Sequence, residues 1–275
     1  MAYQCPLCQH TLTPSNHSFK CINNHQFDVA KEGYVNLVPA HHKRSKNPGD
    51  NKEMMQARRR FLDGNHYQPM RDAVSQLCGQ YLADSKFQLL DIGCGEGYYT
   101  HKIAEHLAGL NDNAATFGLD ISKVAVRYAA KRYPNCHFSV ASSHRLPFED
   151  ASLDGVLRIY APCKADELAR CVKEHGVVIT VTPAGRHLYQ LRERIYPDVR
   201  LHDETPEEIA GFELEHQQKL NYTMSLPGGD AFDLLQMTPF AWKASDELRS
   251  ELQSATLFEC EADFMFRVYR KNSRD

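Results

Sequence analysis

The run LLDIGCGEGYYT, residues 89 to 100, constrains the fold of this chain more than any other stretch. Apolar residues lead into Asp91, and Gly93, Gly95 and Gly97 then alternate before a helix-like segment. Glycine at these places lets the backbone turn sharply and lets a ligand lie against bare main chain, because no Cβ stands in the way. The spacing is G-x-G-x-G. A dinucleotide-binding turn needs G-x-G-x-x-G, and Tyr98 stands where its third glycine would be. A strand, a glycine turn and a helix in that order predict an open α/β sheet with a ligand beyond the strand ends.

The rest of the chain from Tyr67 onward agrees with that expectation. Helical YQPMRDAVSQLCGQYLA, with Pro69 tolerable only in its first turn, precedes the strand FQLLDIG and the helix YTHKIAEHLA. ATFGLD, SKVAVRYAAKRY, CHFSVAS, LDGVLRIYA, DELARCVKE and VVITVTP continue as strand, helix, strand, strand, helix and strand. Short apolar strands alternating with amphipathic helices predict a doubly wound, mostly parallel sheet. FELEHQQKLNYTMSL and ECEADFMFRVYRK read as long strands flanking a helix around AFDLLQM, which suits an antiparallel edge. No apolar stretch has the length of a membrane span and the amino terminus lacks secretory character, so a cytoplasmic protein is expected.

An acidic residue before alternating glycines resembles the first motif of class I S-adenosylmethionine-dependent methyltransferases. That resemblance implies a class I methyltransferase domain over residues 66–275. Gly93, Gly95 and Gly97 form its close-approach loop, and Asp91 is placed to orient the loop and attract the cationic methionine end of the cofactor. Asp120 closes the next strand, 23 residues after Gly97; a carboxylate there accepts hydrogen bonds from a ribose diol. Its plain alternative is a helix N-cap, a task open equally to Ser122. The adenine segment departs from the family pattern: VASSHRLPFED offers Ser142 and Ser143 where many relatives carry an acid. Asp154 matches a position that is usually structural.

The first 36 residues form a separate small module. Cys5, Cys8, Cys21 and His25 give C-x2-C-x12-C-x3-H, the spacing of a tetrahedral zinc site. His10 and His17 stand nearby without paired spacing. All four ligand positions are filled, so one structural zinc ion is expected. The chain carries nine cysteines, an odd number that argues for metal ligation plus inert thiols over a disulfide framework. A connector, residues 37–65, follows with Lys43, Arg44 and Lys46 and then Arg58, Arg59 and Arg60 in a short basic helix. Residues 1–60 hold nine Lys or Arg against four Asp or Glu, a net of +5, which leaves −8 on the remainder of a chain whose total is −3. A basic end on an acidic body suits contact with phosphates.

Amine methylation of adenine or cytosine usually comes with a D/N-P-P-F/Y loop after the fourth strand. Here that place reads Ile159-Tyr160-Ala161-Pro162-Cys163. Pro162-Cys163 is similar to the nucleophile of cytosine C5 methyltransferases, although a lone strand-end cysteine is more often a packed side chain. CPLC, CINNHQFDVAKEGYVNLV, HKRSKNPGD, EMMQARRRFL, GNHYQP, LDIGCGEGYYT, SSHRLPF and RIYAPC together resemble, over nearly the whole chain, the bacterial 23S ribosomal RNA guanine-N1-methyltransferases. The resemblance implies S-adenosylmethionine as donor and N1 of a guanine in a 23S rRNA hairpin loop, of the guanine-745 type, as acceptor. A branch of the family acts on a neighbouring guanine. It further implies zinc at Cys5, Cys8, Cys21 and His25, and cofactor contacts from Tyr67, Gly95, Glu96 and His187.

The implied partner is the rRNA hairpin, with no membrane and with a homodimer left open. N1 must lose a proton, for which His144, His187 and Asp154 are candidates, and Tyr160 or Phe148 could stack on the unpaired base. Two rivals remain: a small-molecule methyltransferase, which needs neither zinc module nor basic connector, and a non-catalytic zinc-dependent RNA-binding protein.

Overall fold

A computed structural model describes residues 3–39, 52–82 and 87–273. Its centre is an eight-stranded sheet. The strands are β4 (Val35–Asn36), β5 (Gln88–Ile92), β6 (Ala115–Asp120), β7 (His137–Val140), β8 (Leu153–Ile159), β9 (Val172–Pro183), β10 (Phe212–Leu226) and β11 (Phe258–Lys271). Their order is β10-β11-β9-β8-β5-β6-β7-β4. From β9 to β4 all neighbours run parallel, while β11 pairs antiparallel with β9 and with β10. The doubly wound sheet with an antiparallel edge is therefore as expected, with one addition: β4, from the amino-terminal module, extends it.

Helices cover both faces: α1 (Lys52–Asp63), α2 (Gln68–Leu82), α3 (Tyr98–Leu110), α4 (Lys123–Arg132), α5 (Ala165–Cys171), α6 (Tyr189–Glu193), α7 (Gly228–Gln236) and α8 (Asp246–Ser254). Alternation along β5 shows how one strand serves two cores. Leu89 joins the cluster containing Phe61, Met70, Leu77 and Phe264, whereas Leu90 joins Tyr3, Phe117 and Phe148 on the other face. Ser122 caps α4, its hydroxyl accepting the Ala125 N–H, so the capping task falls to it and Asp120 is spared that role.

Three short strands, β1 (Thr13–Ser15), β2 (Ser18–Lys20) and β3 (Gln26–Asp28), make the small amino-terminal sheet. Tyr3 of this module lies 5.4 Å from the Phe19 ring and also against Phe117 and Phe148 at 5.7 and 5.2 Å. A module too small for its own core thus borrows that of the eight-stranded sheet. The same contacts correct the stacking role considered for Phe148, which is fully buried in the core. Two further differences concern helix ends and number. The helix expected over DELARCVKE stops at Cys171, where Val172 turns extended to pair with Leu153. A second helix, α8, and a 3₁₀ turn at Ala241–Lys243 lie between the two long tail strands. No helix among the described residues is long and apolar enough to cross a membrane.

Candidate cofactor cavity and metal centre

The glycine turn sits at the carboxyl end of β5, pinned under the neighbouring strand. The N–H groups of Gly93 and Cys94 both donate to the Leu119 carbonyl, at 2.7 and 3.0 Å. Gly93, Gly95 and Gly97 all have positive φ, at 74°, 55° and 82°, a region that side chains with a Cβ rarely adopt. Their surroundings differ. A Cβ on Gly97 would come within 3.0 Å of Tyr133 and 3.1 Å of Phe138, so this glycine serves the packing of α3 and α4 on the sheet. A Cβ on Gly95 would meet nothing within 4 Å. It would project into a cavity of about 850 Å³.

That cavity gathers nearly all the residues expected at a cofactor. Tyr67, Asp91, Gly93, Gly95, Glu96, Asp120, Ser142 and His187 line it, and of the expected set only Gly97 stands back. Asp91 is 2% exposed and accepts a hydrogen bond from Thr100 Oγ1 at 2.6 Å. Burial raises its pKa to about 7; the Thr100 bond opposes the rise and Asp120 adds to it. A carboxylate costly to ionise in a closed, water-poor site is stabilised by a cation placed beside it. Asp120 holds the loop through the Gly95 N–H, at 3.0 Å, and accepts the Ser122 N–H at 2.8 Å. It stays at the cavity wall, with acceptor capacity suited to a diol. The bare Gly95 backbone, a buried acid at one end and an acceptor at the next strand end together fit S-adenosylmethionine.

Glu96 lines the cavity but is not free. Arg59 of α1 grips it with two hydrogen bonds, at 2.7 and 2.6 Å, while its guanidinium carbon lies 4.3 Å from the centre of the Tyr128 ring. Arg60 makes a similar pair with Asp233 of α7, and Arg58 reaches the Met237 carbonyl. Two of the three arginines expected to meet phosphates, Arg59 and Arg60, are thus already paired with carboxylates. Arg59 and Arg60 neutralise carboxylates from distant elements and strap α1 over the cavity. Lys43, Arg44 and Lys46 lie outside the described residues.

Tyr160, His187, Arg192 and His202 also line the cavity, with the Tyr160 and His202 rings 6.2 and 6.4 Å from that of His187. Tyr160 and Leu188, beside His187, both hold positive φ, at 56° and 54°, an uncommon conformation for such residues that clusters at functional sites. His187 Nδ1 accepts the Asp263 backbone N–H at 3.2 Å, which places its own ring proton on Nε2. Burial, then the neighbouring His202 and Arg192, push its pKa down to about 3, so the ring is neutral and a donor. His202 and Arg192 carry no sequence signal, because neither belongs to a motif: Arg192 reaches the cavity from α6 and His202 from the irregular stretch that follows it.

Other candidates fall away. Asp154 accepts the Gln88 N–H and holds Lys173 Nζ at 2.8 Å, away from the cavity lining. Cys163 donates to the Ser143 carbonyl, and burial raises its thiol to about 11, which makes it a poor nucleophile. His144 does line the cavity, with Ser142 Oγ accepting its backbone N–H at 3.2 Å.

In the amino-terminal module, one donor atom from each of Cys5, Cys8, Cys21 and His25 falls within 4.8 Å of the others. Cys8 and Cys21 Sγ are 3.6 Å apart, and His25 Nδ1 is 3.5 Å from the sulfurs of Cys5 and Cys21. Bonds of about 2.3 Å to sulfur and about 2.0 Å to nitrogen, arranged tetrahedrally, space neighbouring ligands by about 3.5–3.8 Å. The four residues fit zinc, and with four protein ligands the site is structural. His10 is turned aside, bonded to the Cys8 carbonyl at 3.0 Å.

The family model for the zinc-ribbon amino-terminal domain described as "RlmA, N-terminal" matches residues 3–46, and that for "Methyltransferase domain" matches residues 83–225. A Streptomyces fradiae protein named 23S rRNA (guanine(748)-N(1))-methyltransferase is 32% identical over 89% of this chain and 88% of its own length. A Bacillus subtilis protein, named as a candidate 23S rRNA (guanine-N(1)-)-methyltransferase, is 31% identical over 93% of each chain.

Proposed function

The chain belongs to the family of 23S rRNA (guanine-N1)-methyltransferases, and from that premise we propose that it methylates N1 of a guanine in a 23S rRNA hairpin loop, of the guanine-745 type. The observation that carries this reading is a single cavity lined by two chemically distinct groups of residues. The glycine turn, Asp91 and Asp120 suit a sulfonium donor. The exposed aromatic ring of Tyr160, with polar His187, Arg192 and His202, suits a flat, hydrogen-bonding base.

S-adenosylmethionine supplies an electrophilic methyl group, and the chain has to align the acceptor and remove its proton. Alignment and exclusion of water provide most of the acceleration in such a direct displacement. Tyr160 stacks on the extruded base, and the neutral His187 donates through Nε2, which makes it an orienting group. The N1 proton then passes to His144 or His202, the remaining imidazoles at the cavity wall. Arg192 serves the same acceptor. Its Nη1 has no hydrogen-bond partner among the described residues, and no carboxylate pairs with it, so a fixed positive charge faces the oxygen that gains charge as N1 deprotonates. The zinc module and the basic stretch before α1 serve the RNA, and the activity belongs in the cytoplasm, where ribosomes are made.

A primer-extension map of large-subunit RNA, methylated by the purified protein, tests the proposal. A methyl on N1 blocks the Watson–Crick face and halts reverse transcription. A new stop at the 745-type guanine is expected. A stop at 748 would move the chain to the branch of the Streptomyces fradiae relative. Absence of any stop, with donor binding intact, would contradict an RNA acceptor and favour a small molecule.

A further inference from the structure

Trp242, the single tryptophan of the chain, is 76% exposed. It belongs to the 3₁₀ turn Ala241–Lys243, and that turn is fixed. The Ala241 and Lys243 N–H groups donate to the Thr238 and Phe240 carbonyls, at 3.3 and 3.0 Å, and Arg249 of α8 reaches the carbonyls of Ala241 and Ala244. A large, amphipathic ring is thus held out to solvent by a braced support.

Its location is specific. The segment Met237–Phe240, immediately before the turn, forms part of the wall of the cofactor cavity. Phe240 lies 6.2 Å from the Tyr196 ring, and Lys243 Nζ stands 4.8 Å from the centre of the Tyr196 ring and 5.2 Å from that of Trp242. Lys243 has no ion-paired carboxylate among the described residues. The ammonium lies over one face of the exposed ring and leaves the other open, an arrangement that can hold a single-stranded nucleotide: the base stacks on the open face and the phosphate meets the charge.

We propose that Trp242 and Lys243 form a stacking platform for an unpaired nucleotide next to the target guanine, outside the cavity. The platform grips the neighbour while the target base turns inward, which lowers the cost of extruding it. This rests on the RNA reading above. It also gives the chain a contact with loop sequence or loop geometry that lies apart from the cofactor site and the zinc module.

Because Trp242 is the only tryptophan, emission excited at the long-wavelength edge, where tyrosine does not absorb, reports on this position alone. The hairpin RNA, labelled at one end, is titrated with protein, and binding is followed by label anisotropy and by tryptophan emission together. The two signals should saturate at the same concentration. Trp242→Ala should bind the hairpin roughly tenfold to hundredfold more weakly, in line with aromatic stacking on one base. Trp242→Phe should recover part of that loss. Donor affinity should stay unchanged in both variants, since Trp242 does not line the cavity. Anisotropy that reports binding while emission stays constant overturns the platform and leaves the RNA reading intact, as does full hairpin affinity in Trp242→Ala. Emission that shifts with protein concentration before RNA is added assigns the ring to self-association and also overturns it. Failure of the unmodified protein to bind the hairpin overturns both.

Discussion

Replacing Asp91 by Asn should stabilise the donor-free fold while weakening donor binding. Asp91 is buried, and its pKa stands at about 7 against an ordinary 3.8. The native state therefore holds this proton more tightly than the unfolded chain does. Between about pH 4 and pH 7 the native state binds more protons, so the contribution of this group to stability falls as pH rises through the window and is flat above it. At about 1.4 kcal/mol per pH unit, the full cost of ionising Asp91 comes to about 4 kcal/mol, an upper bound because burial effects relax in solution. The asparagine side chain carries no charge to desolvate, and its amide oxygen still accepts from Thr100. Denaturant unfolding of zinc-loaded, donor-free protein should show the variant gaining on wild type by about 2–3 kcal/mol between pH 5 and pH 7, with no further gain above. Calorimetry should show at least about tenfold weaker binding of S-adenosylmethionine, since a charge-assisted contact is worth about 1.5–3 kcal/mol. A stability difference independent of pH, or an Asn variant weaker than wild type throughout, would refute the electrostatic role given to this carboxylate.

Two further outcomes are expected. The double variant Cys8→Ser, Cys21→Ser should lose its one equivalent of zinc, measured by elemental analysis. It should also melt at lower temperature as a whole, because Tyr3 ties the metal module to Phe117 and Phe148; an unchanged melting profile would mean the module is an independent appendage. Arg60→Gln should lower the unfolding free energy in urea by about 1–2 kcal/mol, since Asp233 is left buried without its partner while the arginine itself is largely exposed. The same variant should leave the salt dependence of RNA affinity unchanged; a shallower slope would return this arginine to the phosphate interface.

The parts of this molecule that the sequence made legible are those encoded locally. The glycine turn and the C-x2-C pair each express their geometry within a few residues, so spacing alone places them; for the α4 cap it leaves Asp120 and Ser122 equal, and only the structure selects Ser122. Strand alternation worked for the same reason, with Leu89 and Leu90 pointing to opposite cores. What stayed hidden depends on contacts across long separations. Arg60 and Asp233 are 173 positions apart, and nothing near the RRR run signals that two of its members meet carboxylates. Phe148 looked suited to stacking until Tyr3, from the far end of the chain, closed over it. Tyr67 and His187 were reached through family resemblance, and Arg192 and His202 through three-dimensional structure alone. The tail helix α8 was missed because its amphipathic pattern is short and follows a turn dominated by exposed residues.

The most direct measurement is a calorimetric titration of S-adenosylmethionine into the zinc-loaded protein and into Gly95→Val. A branched side chain at Gly95 meets no protein atom at its Cβ, but at φ 55° it strains the turn, so the variant removes the donor site both by occupying its ground and by distorting the loop that cradles it. One donor should bind per chain of the unmodified protein, and none to the variant, with zinc content equal in both. Donor affinity preserved in Gly95→Val would contradict the site described here.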